Sequence, residues 1–255
     1  MMALRIAARE VKLILLSPMA WLVLALAQLV GAWWFLLLVE QYRGHYEPLV
    51  VRVNSPMGVN DLVVLPFFGS MLLLGALLLG AALMAMRLIA EERRSGSLQL
   101  LYSSPVGMLD IVIGKYLAGF AFLALLALPW LYMPLTLALG TALDTGRLLS
   151  AFVGVLLLGG VLASVAVYAS SLTMQPAIAA ALTVGIGVAL MGLNAGSEAM
   201  AGREDALAQY LGLLSHYEPL VQGMVSSTDL IYFLLLITGF LVFTVRRLDA
   251  LRMQS

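Results

Sequence analysis

The 255-residue chain has no cysteine, only two histidines, and charged residues at only 11% of positions. Without cysteine there is no disulfide, no thiolate nucleophile and no zinc–thiolate site. The histidines, His45 and His216, do not stand in a metal-ligand spacing such as His-x-x-x-His. The phosphate loop Gly-x-x-x-x-Gly-Lys-Ser/Thr is missing, so ATP binding of the P-loop kind is not expected here. Gly-x-Ser-x-Gly is missing too, and with it the nucleophile elbow of the hydrolases. No tract is polar or repetitive enough for a disordered tail or a soluble catalytic domain. Neither catalysis, nor a metal or cofactor held by this chain, nor a nucleic-acid partner is expected.

What the chain does contain is apolar sequence, at 62% of its residues and a mean hydropathy of +1.02. That composition belongs to a polytopic, all-α membrane protein, here a single membrane domain over 1–255. Crossing a hydrocarbon core of about 30 Å takes roughly 20 apolar residues as helix. The uncharged runs give six transmembrane helices, at about 18–39, 62–86, 112–139, 148–170, 177–195 and 229–246. Pro129 and Pro134 predict a kink or break in the third. Ser170-Ser171-Leu172-Thr173-Met174-Gln175-Pro176 supplies the turn that separates the fourth from the fifth.

Six crossings put both termini on one side. Arg5, Arg9, Lys12, Arg87, Arg93, Arg94, Lys115, Arg246, Arg247 and Arg252 fall on that side, against Arg43, Arg52, Arg147 and Arg203 on the other. Ten basic residues against four make it the cytoplasmic side. Before the first span, Arg5, Arg9 and Lys12 recur at i, i+4, i+7, with Leu4, Val11 and Leu15 for the opposite side. This reads as an interfacial amphipathic helix over 1–17, on the inner leaflet, with a simple basic topology anchor as the alternative. The apolar run that follows is too long for a cleaved signal peptide, so it is read as a retained span.

Ion-coupled carriers place charged or histidine side chains inside the membrane. The predicted span interiors lack them, with Glu40, Asp61 and Asp229 at span ends. Any energy for transport therefore has to enter from outside the membrane. His216 beside Glu218 is a conceivable outward-facing acid/base pair, and a surface histidine beside an interfacial helix is the plainer reading.

One charged hinge breaks the apolar sequence. Glu91-Glu92-Arg93-Arg94 is followed by Ser95-Gly96-Ser97, then Leu98, Leu100 and Leu101. The pattern predicts an extension of span two, a glycine bend, a short helix capped by Ser95 or Ser97, and a stop at Pro105. Such a helix across the ends of two spans suits the transmission of a push from a docked protein. An ordinary topology loop has the same charge pattern.

At this hinge the sequence resembles the membrane subunits of ABC-2 type ABC transporters, in particular the GldF-like (gliding-motility-type) permeases. The residues that carry the resemblance are Met86-Arg87-Leu88-Ile89-Ala90-Glu91-Glu92-Arg93-Arg94-Ser95-Gly96-Ser97, then Leu100-Leu101, Ser104-Pro105-Val106 and Gly114-Lys115-Tyr116-Leu117-Ala118. Two later blocks extend it: Ser170-Ser171-Leu172-Thr173, and Leu214-Ser215-His216-Tyr217-Glu218 with Asp229-Leu230-Ile231-Tyr232-Phe233. Ser97 departs from the family's usual threonine, and Gln99 from its usual glutamate.

The resemblance implies a multi-pass protein of the bacterial cytoplasmic membrane, pairing as a homodimer with two copies of an ATPase that binds ATP and Mg. Glu91–Leu101 becomes the coupling helix region docked on that ATPase. The outer segment 196–228, with His216, Tyr217 and Glu218, becomes short helices that partly re-enter the membrane. An auxiliary membrane-anchored subunit with a periplasmic domain often accompanies this group. Export and force transmission to periplasmic partners both remain open, as do a copper-maturation (NosY-like) permease and a non-transporting scaffold or sensor.

Overall fold

The computed structural model describes residues 2–46, 58–96, 107–141, 143–199 and 211–252, with backbone only for 194–199. Among the described residues the protein is all-helical, and six helices are long and apolar enough to cross a membrane. Helix α1 (Met2–Leu15) ends at an extended Ser17, and Pro18 starts α2 (Pro18–Gln41), the first span. Proline fits there because the first helical position has no intrahelical N–H partner to lose. Trp21 Nε1 donates to Leu15 O at 2.7 Å and ties the two helices across the corner.

The second span is interrupted. A wide π turn (Asn60–Val64) leads into α3 (Leu65–Phe68), the chain turns at Gly69 and an extended Ser70, and α4 (Met71–Ala85) resumes. Ser70 caps the restart: its hydroxyl accepts from Leu73 N–H and donates to Phe67 O at 2.8 Å. The carbonyl of Phe68, freed by the break, accepts the Tyr217 hydroxyl at 2.8 Å. Backbone groups at membrane depth need such internal partners.

The third span, α6 (Met108–Leu135), runs unbroken through Pro129 and Pro134 and tightens to a 3-10 turn (Thr136–Leu139) only afterwards. The expected break is absent among the described residues. Gln28 Nε2, on α2, donates to Leu126 O at 2.7 Å and ties the first span to the third.

Asp144 caps the fourth span, α7 (Thr145–Leu172), by accepting from the N–H groups of Gly146 and Arg147. The chain leaves it through an extended Thr173 and enters α8 (Pro176–Ala199) at Pro176, which confirms the turn read between spans four and five. A short α9 (Leu213–Val221) precedes the last span, α10 (Ser227–Arg252).

Helix α7 is the axis of the bundle, packed against α4, α6, α8, α9 and α10. Its buried face is built from small residues, among them Ala151, Gly154, Gly159, Gly160, Ala163 and Ala166. Lipid offers no hydrophobic drive for helix association, so close backbone approach and dispersion hold such a bundle together. The outer surfaces of α2 and α10 present large apolar side chains, such as Leu29, Leu36, Leu235 and Phe243, as a lipid-facing wall should.

Candidate functional site

The charged hinge leaves α4 through a second π turn (Met86–Ala90) and continues as α5 (Glu91–Ser95). Leu88, Ile89 and Ala90 are buried and anchor the turn in the bundle. The N–H groups of Ile89 and Ala90 both donate to Ser170 Oγ, each at 2.9 Å. A π turn shifts the backbone hydrogen-bond register, and here a hydroxyl from the end of α7 accepts the displaced donors. One turn later Arg93 Nη1 donates to Ser171 O at 2.7 Å. A guanidinium at the carbonyl end of α7 also meets the negative end of the helix dipole.

Lys115, on α6, is fully buried and holds the hinge from the other side. Its Nζ lies 2.8 Å from Glu92 Oε1 and 3.4 Å from Glu10 Oε1 of α1. One cation thus joins three elements: α1, the hinge and α6. A buried lysine is tolerated only when paired, and two carboxylates meet that demand. The helix crossing that brings Glu10 within reach depends on Gly114, where an added Cβ would stand 2.7 Å from Ile6 Cγ2 and 3.0 Å from Ala3 O. Hence α1 lies tightly on α6.

Beyond the anchor α5 stops. Gly96 has φ +74°, a left-handed helix stop that glycine adopts without steric cost. Glu91, Arg94 and Ser95 are exposed. With Met86, Arg87 and Pro176 they line an open cleft of about 410 Å³. Arg5, Arg9 and Lys12 are exposed on α1, whose buried residues are Ala7 and Ile14. Leu4 is 66% exposed, and Ala7 and Ile14 form the side that lies on the bundle. Ser97, Leu98, Leu100 and Leu101, the predicted coupling helix proper, lie outside the described residues, as does 200–210 of the outer segment.

At the opposite end of the bundle the histidine reading needs correction. His216 is buried, at 5% exposure, and its Nδ1 lies 2.7 Å from Asp229 Oδ1, while its ring stacks on Tyr232. It is neither a surface histidine nor the partner of Glu218, which is exposed. Neighbours in sequence on a helix point apart, whereas α9 folds back against α10 and brings Asp229 in from thirteen residues away. Tyr217 is buried with its hydroxyl on Phe68 O, and Ser150 Oγ donates to Leu220 O at 2.7 Å. So α9 is held at three points, beside the Gly154 level of α7. Gly154 is nine residues into α7, about 14 Å along its axis.

Sequence reasoning missed Glu10 and Asp229 as partners. It read Lys115 as a sidedness charge and Ser170 and Ser171 as part of a turn, not as anchors of the hinge. Their signal was nevertheless present: Lys115 and the serine pair belong to two motif stretches that the fold brings together with the hinge. Glu10 is the one acid among the basic residues of α1.

A family model described as ABC-2 family transporter protein matches residues 4–250. No curated protein matches the chain.

Proposed function

The chain belongs to the ABC-2 family of transporter proteins, a multi-pass membrane permease component of an ABC transporter, and from that premise we propose that α5 and the segment after it dock an ATPase subunit. Permeases of this family generally work with an ATPase partner. In the proposed arrangement both termini and the hinge are cytoplasmic in a bacterial inner membrane, and two permease copies pair with two ATPase copies. ATP and Mg are held by that partner. The cargo is exported, or the stroke is passed to periplasmic proteins. The GldF-like character rests on the motif blocks, and the re-entry of α9 on its packing beside Gly154.

The observation that carries the proposal is the double anchorage of the hinge. It is pinned to α1 and α6 through Lys115 and to α7 through Ser170 and Ser171. A load applied to α5 therefore reaches the central helix directly. Glu91 and Arg94 face the cleft on its exposed side.

The division of labour is testable in a co-expressed permease–ATPase complex. Glu91→Lys reverses an exposed charge and is expected to lower ATPase stimulation at least fivefold, with membrane insertion unchanged. Undiminished stimulation in Glu91→Lys and in the double reversal with Arg94→Glu would remove the hinge from the docking surface.

A further inference from the structure

At the end of the bundle opposite the hinge, a pocket of about 320 Å³ opens between the interrupted second span and α9. Its concavity follows from the break at Gly69 and Ser70, which bends α3 away from α4 and leaves Leu65, Pro66 and Leu74 as one wall. Helix α9 supplies the other. Leu214, Tyr217, Glu218, Val221 and Gln222 stand at i, i+3, i+4, i+7 and i+8, a single helix face turned to the pocket. Tyr217 spends its hydroxyl on Phe68 O, so its ring is an apolar floor.

Two polar side chains remain, and both are exposed at the rim. Glu218, on α9, and Gln222, which caps its end, stand one turn apart. Among the described residues, Glu218 is the only charged one in the lining and it makes no ion pair. A carboxylate at the mouth of an apolar recess selects for positive charge on a hydrophobic body. We propose that this pocket binds a cationic amphiphile, with its alkyl or ring portion against Leu65, Leu74, Tyr217 and Val221, and its ammonium group at Glu218 and Gln222. The assignment rests on the permease reading and gives it a ligand class at the outer end of the protein. The pocket volume is at the lower end of those that hold small ligands, which suits a short chain or one ring rather than a two-chain lipid.

The test uses the purified full-length permease in nanodiscs of zwitterionic lipid, together with any ATPase subunit that co-purifies. A fluorescent alkylammonium and an alkyl sulfate of the same chain length serve as probes. Saturable binding of the ammonium probe is expected, with Glu218→Gln weakening it about tenfold and Leu214→Trp, which fills the recess, removing it. The sulfate probe is expected to partition without saturation. Equal binding of the two probes, non-saturable partition of both, or insensitivity of the ammonium probe to Glu218→Gln would each overturn the proposal. Because ATPase docking is read separately, from co-purification with the wild-type permease, failure of the pocket leaves that reading standing, and failure of docking leaves the binding result interpretable.

Discussion

Replacing Lys115 with methionine keeps the length of the side chain and removes the charge that joins α1, the hinge and α6. Its Nζ sits 2.8 Å from Glu92 and 3.4 Å from Glu10, and the lysine side chain is 1% exposed against 25% and 16% for the two carboxylates. Without the cation, Glu92 and Glu10 face each other in a partly dry pocket. Removing one member of a buried pair costs about 3–5 kcal/mol, most of it from the uncompensated charge left behind. Water reaches the edge of Glu92, so a cost of about 2–4 kcal/mol is expected, concentrated in the docking of α1 and the hinge rather than spread over the bundle. Hydrogen exchange on the purified protein is the direct assay. Amides of α1 and of 86–96 should lose protection while those of α7 keep theirs. The triple variant Lys115→Met, Glu10→Gln, Glu92→Gln should recover most of the loss, because neutral groups of similar volume leave no stranded charge. If Lys115→Met moves stability by less than about 0.5 kcal/mol, the range of an ordinary surface change, and leaves that exchange unaltered, the three-way anchor is refuted.

Further outcomes follow from neighbouring contacts. Ser170→Ala strands the N–H groups of Ile89 and Ala90, and about 1–3 kcal/mol of local stability should be lost, seen as faster exchange at those two amides without change in α10. Gly96→Ala forces a side chain into φ +74° and should cost about 1 kcal/mol, reducing ATPase stimulation without touching the Lys115 contacts. Gln28→Leu removes the donor to Leu126 O, and a loss of about 0.6–1.7 kcal/mol in thermal unfolding is expected, the range of hydrogen bonds between membrane helices. Asp229→Asn keeps the shape of the contact with His216 but removes its charge. It should loosen α9 by about 1–3 kcal/mol, measured as increased exchange across Leu213–Val221.

The six spans were legible because uncharged runs of roughly 20 residues have few structural alternatives. The turn at Thr173–Pro176 was legible too, since proline and small polar residues stop helices locally. The behaviour of Pro129 was not, because a proline's local rule says nothing of the packing around it, and α6 is held along its length by α2, α4 and α7, which are distant in sequence. The interruption at Gly69 and Ser70 escaped for the same reason: its freed carbonyl is satisfied by Tyr217, on the far side of the sequence. Charge was read for sidedness, and pairing was not legible in it. Lys115 entered the count of basic residues, Glu10 and Glu92 carried no sidedness signal, and only the crossing of α1 over Gly114 makes the three a cluster. His216 drew attention to Glu218 by proximity in sequence, while the fold selected Asp229.

The central claim is that the exposed side of α5 is where the ATPase docks, and site-directed photo-crosslinking in intact cells tests it most directly. A photoreactive side chain placed at Glu91 or Arg94 is expected to yield an adduct with a nucleotide-binding subunit, while the same group at Leu235, on the lipid-facing wall, yields none. Absence of an ATPase adduct at both hinge positions, together with an adduct from Gly146 or Glu218 at the opposite end, would contradict the account.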